Sequence, residues 1–179
     1  MPTLPKGFSL LELMVTVAIT IIMIGIAVPV TGSFITTNRM ATQVNQLRAS
    51  LAQTRSEAIT RNRDVVICKS ADQEFCTRQG GWHQGWIIFV DHDRDRKRSQ
   101  KEPLLSVNSA LNSNIQLRYR AFGSRHYIVF YATGMSKTNG TFTFCGNTSP
   151  DRARALILTK TGRVRLSRAR SDGRPLECG

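Results

Sequence analysis

The sequence predicts an α+β chain. One long N-terminal helix, its first half transmembrane, packs against a C-terminal domain of two antiparallel β-sheets. Three observations carry this. Residues 8–30 form an almost unbroken apolar run. Apolar side chains then recur at spacings of three and four as far as Ile59. From Val65 onward the chain becomes short β-like runs, several of them separated by Gly- or Asn-containing turns.

The apolar run of 23 residues makes a helix of about 35 Å at ~1.5 Å per residue, and a hydrocarbon core is about 30 Å thick. Glu12 interrupts it. A carboxylate at the centre of such a span costs about 2.5–3.5 kcal/mol on insertion scales, so it calls for a partner. Pro29 removes one backbone hydrogen bond inside the helical pattern and tends to kink the helix there.

Beyond Pro29, Ile35, Met40, Val44, Leu47, Leu51, Ala58 and Ile59 form one apolar stripe, with Arg39, Gln43, Gln46, Arg48, Gln53 and Arg55 elsewhere around the helix. Arg61 and Arg63 suit a helix C-terminus, where cations meet the negative end of the macrodipole. The helix is therefore expected over residues 8–61. Eight strands follow, expected at 65–68, 86–90, 103–105, 115–119, 127–131, 141–144, 155–158 and 163–166, enough for two packed sheets.

The chain has 179 residues and a net charge of +13, from 25 Lys plus Arg against 12 Asp plus Glu. That excess suits an anionic partner: nucleic acid, lipid headgroups or an acidic protein. The four cysteines, Cys68, Cys76, Cys145 and Cys178, favour two disulfides in an oxidising compartment and allow three connectivities. Cys68 with Cys76 and Cys145 with Cys178 is the expected pairing. A zinc site is disfavoured, because no Cys-x-x-Cys pair exists and the three histidines are scattered. His83, His92 and His126 have no nucleophile or metal spacing around them, so no catalysis and no cofactor are expected.

The strongest functional signal is C-terminal. Between Asp151 and Gly179 stand Arg152, Arg154, Lys160, Arg163, Arg165, Arg168, Arg170 and Arg174, against Asp151, Asp172 and Glu177, a local charge of +5. Lys160-Thr161-Gly162 reads as a hairpin turn. In the strand after it, Arg163 and Arg165 share one face, while Val164 and Leu166 share the other. Arg168 and Arg170 fall on a loop that a bond between Cys178 and Cys145 would close. Guanidinium forks match phosphate oxygens. Phosphate contacts position a protein without reading sequence, so double-stranded DNA is the expected partner. The competing use of the patch is to hold neighbouring acidic subunits.

A second basic stretch, Arg94, Arg96, Lys97, Arg98 and Lys101, is interleaved with Asp91, Asp93 and Asp95. Asp91, Asp93, Asp95, Ser99 and Glu102 fall at the calcium-loop offsets one, three, five, nine and twelve, but Arg96 stands where Gly is needed. An exposed, self-neutralising loop is the expectation there, with no bound metal.

Lys6-Gly7 followed by Phe8-Ser9-Leu10-Leu11-Glu12 resembles the class III signal of type IV pilins and type II secretion pseudopilins. The resemblance implies that a prepilin peptidase cuts after Gly7 and methylates the new amine of Phe8. It also implies that Glu12 meets the N-terminal amine of a neighbouring subunit during assembly. Pilins commonly carry a proline near the position of Pro29. The helix end Ala52-Gln53-Thr54-Arg55-Ser56-Glu57-Ala58-Ile59, the segment Gly85-Trp86-Ile87-Ile88-Phe89-Val90-Asp91 and the late Gly162-Arg163-Val164-Arg165 are similar to the FimT/FimU/GspH branch of minor pilins and pseudopilins. The Gly-Arg-x-Arg ending is most similar to the FimT group, minor pilins linked to DNA uptake in natural transformation.

The resemblance implies a division into a leader (1–7), a transmembrane and assembly segment (8–30), an amphipathic helix half (31–61) and a globular β domain (62–179). It places the chain as a single-pass inner-membrane protein with its C-terminal domain in the periplasm, and in the pilus after assembly with other major and minor pilins. A structural or priming subunit, or a secretion pseudopilin that binds only other pilins, is the alternative.

Overall fold

The structure is a computed structural model and describes residues 7, 9–111, 114–146 and 149–178, without the side chains of residues 26–36 and 149–152. The expected leader residues 1–6 and the methylated Phe8 lie outside the described residues, and so does the side chain of Ile35. The chain divides into two compact units, Met1–Arg39 and Met40–Gly179. Helix α1, Leu10–Arg61, begins in the first and ends in the second.

In the first unit the start of α1 is capped from the sequence itself. The Glu12 N–H donates to Ser9 Oγ at 3.2 Å. Ser9-x-x-Glu12 has the spacing of a capping box, and an acid in the first turn suits the helix dipole. The cap is supplied by the Ser9 hydroxyl, and Glu12 adds an acid in the first turn. Leu10, at 79 % exposure, and its apolar neighbours as far as Ile24 lie open around the helix, an arrangement that needs lipid or other subunits to cover it. Among the described residues no helix is long and apolar enough to cross a membrane; the expected span continues beyond residue 25, where the side chains are not described.

In the second unit, residues 40–61 present Met40, Val44, Leu47, Leu51 and Ala58 to the core. Thr54 is buried in the same stripe, its hydroxyl donating to the Ser50 carbonyl at 2.7 Å. Ile59 departs from the expected stripe and is 49 % exposed. Adjacent helical residues point about 100° apart, and with Ala58 facing the core, Ile59 falls at the margin of the buried stripe. The helix stops at Asn62, which has φ 51°. Arg63 N–H donates to the Ala58 carbonyl and Asn62 N–H to the Ile59 carbonyl, both at 3.2 Å. That is the paired bonding of a Schellman cap.

All eight expected strands are present: β1 Val65–Lys69, β2 Trp86–Val90, β3 Leu104–Asn108, β4 Ile115–Ala121, β5 Tyr127–Phe130, β6 Gly140–Gly146, β7 Ser149–Leu158 and β8 Val164–Ser167. They form two four-stranded sheets, ordered β3-β2-β1-β5 and β4-β6-β7-β8, with every pair antiparallel. One core joins the helix to a face of each sheet, with Ile67, Ile88 and Phe130 from the first and Tyr119, Phe142 and Leu156 from the second.

In the first sheet, β1, β2 and β5 are buried on both faces, whereas the edge strand β3 is half-buried to exposed. The sheet's other face carries Val66, Cys68, Ile87, Phe89 and Val129, and the Cys68–Cys76 disulfide ties the following loop to it. This two-sided burial is why β1 and β2 read as continuous apolar runs rather than alternating ones. In the second sheet β4 alternates strictly. Ile115, Leu117 and Tyr119 are buried, while Gln116, Arg118 and Arg120 are exposed.

Two expectations need correction. Strand β8 starts at Val164, so Arg163 belongs to the turn before it. The loop after β2 is not simply an exposed one. Asp91 is 2 % exposed and Glu102 is 4 % exposed, and burial followed by the Glu102 charge pushes the Asp91 carboxyl up to about 6.

Candidate nucleic-acid interface

The hairpin of β7 and β8 is built on a turn that only glycine fits. The Thr159 N–H donates to the Arg163 carbonyl at 3.0 Å, and Gly162 N–H to the Thr159 carbonyl at 2.9 Å. Gly162 has φ +75°, and a Cβ placed there would sit 2.1 Å from the Gly134 carbonyl oxygen. The Ser136 N–H donates to the Lys160 carbonyl at 2.9 Å, which fixes the turn from the side. Lys160 and Arg163 are exposed at this tip. Arg163 lines a groove of about 460 Å³ shared with Arg48, Arg55, Ser56 and Ile59 of α1. The Arg55 Nε is buried there without a hydrogen-bond partner.

Arg165 lies on the outer face of the second sheet, opposite Ile157 in the register. The row continues through Thr141 to Arg120 on β4. The next row runs Ser167, Ala155, Thr143, Arg118. Leu166 points the other way, yet is 50 % exposed, because β8 is a four-residue edge strand.

The C-terminal segment crosses this outer face. Cys178 is bonded to Cys145. Ala155 and Ile157 are buried, and Thr141, Thr143, Arg170, Asp172 and Glu177 line one cavity of about 360 Å³ with Arg120. A turn closes between Arg170 and Arg174, whose backbone groups bond at 2.8 Å.

The eight basic residues of the tail therefore divide. Arg170 pairs with the Glu177 carboxylate, and Arg174 with Asp172 at 2.8 Å; a hydrogen bond from the Arg174 N–H holds the Asp172 carboxyl below its ordinary range. Arg154 is half-buried on β7 and donates to the Ala153 carbonyl at 2.9 Å. The side chain of Arg152 is not described. Among the described residues no ion pair engages Lys160, Arg163, Arg165 or Arg168.

Sequence reasoning missed the cations of β4. Arg118 and Arg120 line a cavity of about 940 Å³ together with Lys69, Arg78, Arg125 and His83. Burial first, and then the charges of Arg78 and Lys69, hold the His126 imidazole below its ordinary value. The alternation Gln116-Leu117-Arg118-Tyr119-Arg120 signals two guanidiniums on one face, but nothing local tells which strand they neighbour.

One long helix laid on two antiparallel sheets, behind an apolar N-terminus, is the architecture of a pilin-like subunit. The chain belongs to the family described as type II transport protein GspH, whose model matches residues 43–162. The prokaryotic N-terminal methylation motif matches residues 5–28.

Among solved structures the fold is similar to the type IV minor pilin FimU of Pseudomonas aeruginosa. The TM-score is 0.57 at 22 % identity, covering 79 % of this chain and 96 % of that one. It is also similar to the minor pseudopilin EpsH of the Vibrio cholerae type 2 secretion system. There the TM-score is 0.53 at 12 % identity, covering 72 % of this chain and 96 % of that one. Comparison with curated proteins gives no match.

Proposed function

We propose that this chain is a minor type IV pilin that binds double-stranded DNA without sequence preference and supports DNA uptake in natural transformation. The observation that carries the reading is the gathering of Lys160, Arg163, Arg165 and Arg168 around one exposed hairpin, with no ion pair among the described residues. Unpaired cations at a hydrogen-bonded turn and along the strand after it are suited to phosphate oxygens and lose little freedom on binding. In this reading the prepilin peptidase cleaves after Gly7 and methylates Phe8. Residues 8–30 hold the protein in the inner membrane with the β domain in the periplasm. Glu12 then pairs with the amine of the next subunit as the filament forms. The hairpin then stands on the filament surface.

The test is a gel shift of the full-length chain in detergent with duplex DNA. Four to six neutralised phosphates would give a slope of log K against log salt of about −4 to −5. Competitor heparin should abolish the shift, and Arg163→Ala with Arg165→Ala should weaken it strongly. No shift even at low salt would assign the protein to purely structural subunits.

A further inference from the structure

The loop from Asp91 to Glu102 brings three carboxylates together. Asp91, Asp93 and Asp95 each place one oxygen within 4.8 Å of the other two. Two oxygens bound to one calcium ion at about 2.4 Å can lie no farther apart than about 4.8 Å. The spacing is thus already that of a shared cation.

A second observation points the same way. Asp91 is buried, and its Oδ1 accepts no hydrogen bond of good geometry, while its Oδ2 accepts the Arg96 N–H at 3.3 Å and the Arg94 N–H also faces the carboxylate. A buried carboxylate oxygen left without a well-placed donor is costly, and a cation in direct contact removes that cost. Arg96 has φ +65°, the left-handed turn that a calcium loop needs at this sixth position. Glu102, also buried, clasps both ends of the loop. Its Oε1 accepts the His92 N–H and its Oε2 accepts the Ser99 N–H, each at 2.8 Å.

The basic residues of the loop oppose a cation less than their number implies. Arg94 turns to Asp64 at 3.5 Å. Arg98 donates to the Glu74 carbonyl at 3.0 Å and lies over the Phe75 ring.

We propose that this loop binds one calcium ion, with Asp91, Asp93 and Asp95 as ligands and Glu102 as the residue that positions the loop. Three carboxylate donors in an irregular loop suit calcium better than magnesium, which demands a tighter octahedron. The remaining cations set the affinity at the weak end, a Kd of about 10⁻⁴–10⁻³ M. The site is independent of the DNA reading, and either can fail without the other.

The test uses the full-length chain in detergent, with Tm measured in EGTA, in about 10 mM calcium chloride and in the same concentration of magnesium chloride. Calcium should raise Tm by about 3–8 °C, and magnesium by clearly less. The exposed pair Asp93→Asn and Asp95→Asn should leave Tm in EGTA nearly unchanged and abolish the calcium shift. Calorimetric titration should give one site per chain in the wild type and none in the variant. No calcium shift in the wild type, an equal magnesium shift, or an undiminished calcium shift in the variant would overturn the assignment.

Discussion

Arg120 and Arg165 stand in one cross-strand row of the second sheet, at its two edges, on the face turned away from the main core. Three strand spacings of about 4.8 Å put their backbones about 14 Å apart. In the proposed DNA-binding reading a duplex would contact both edges, on either side of the C-terminal segment. Replacing Arg165 with Ala should reduce the salt slope of duplex binding by about 0.9 for the lost phosphate contact. Replacing Arg120 as well should reduce it again. Arg120 is 3.8 Å from Glu177, so its step should be the smaller one. Gel shifts across a salt series check both steps; a slope unchanged in the double variant would separate this face from DNA.

Gly162 carries the turn that aims Arg163. A methyl group there meets the Gly134 carbonyl oxygen at a positive φ, so Gly162→Ala should cost about 1–3 kcal/mol of stability. Arg163→Ala should leave stability within about 0.5 kcal/mol, the usual effect at an exposed surface site. Urea midpoints of the two variants distinguish backbone demand from charge.

The two disulfides close loops of different length, with sequence separations of 8 and 33. In the chain-entropy model their removal costs about 2.5 and 3.7 kcal/mol respectively. Cys145→Ser with Cys178→Ser should therefore lower the unfolding midpoint more than Cys68→Ser with Cys76→Ser. It should also weaken duplex binding, because a freed tail must be ordered again on the DNA. Denaturation and gel shift of the two double variants read out both effects.

Glu12→Ala should still insert into membranes, since it removes a charge from an apolar run. It should be depleted from purified filaments, where the pairing with a neighbour's amine is lost. Immunoblots of membrane and filament fractions measure the two quantities separately, and normal filament content would exclude the assembly role.

His126 gives a pH dependence. Burial, then Arg78 and Lys69, hold its imidazole below the ordinary 6.5. The unfolded chain therefore takes up a proton where the folded chain does not, and stability rises with pH below about 6.5. Acidification from pH 7 toward 5 should lower the Tm of the wild type relative to that of His126→Gln; the Asp91 carboxyl, pushed up to about 6, acts in the opposite direction in both proteins and cancels in the difference. Parallel Tm profiles would rule His126 out as the source.

The helix stripe and the eight strands were legible because each rests on local period or on turn residues, and the cysteine pairing followed from the closeness of Cys68 to Cys76 in the sequence, which leaves Cys145 for Cys178. The second-sheet face was not. Arg118 and Arg165 are 47 positions apart in the numbering, and only strand order brings them to one surface. Arg163 was placed in a strand by alternation, whereas the bond from Thr159 N–H to its carbonyl keeps it in the turn. Asp91 and Glu102 look like solvent residues by composition, and their burial follows from the Glu102 carboxylate folding back on His92 and Ser99.

The bond between Cys145 and Cys178 also sets a time and place for the finished surface. Cytosolic thiols are kept reduced, so a newly made chain there has no covalent clasp to hold Arg170 and Glu177 beside Arg120 and Thr141. With the β domain in the periplasm, as proposed above, the completed cationic face would come into being only after export. A chain of net charge +13 would then be in its least organised form while it shares a compartment with the cell's own chromosome.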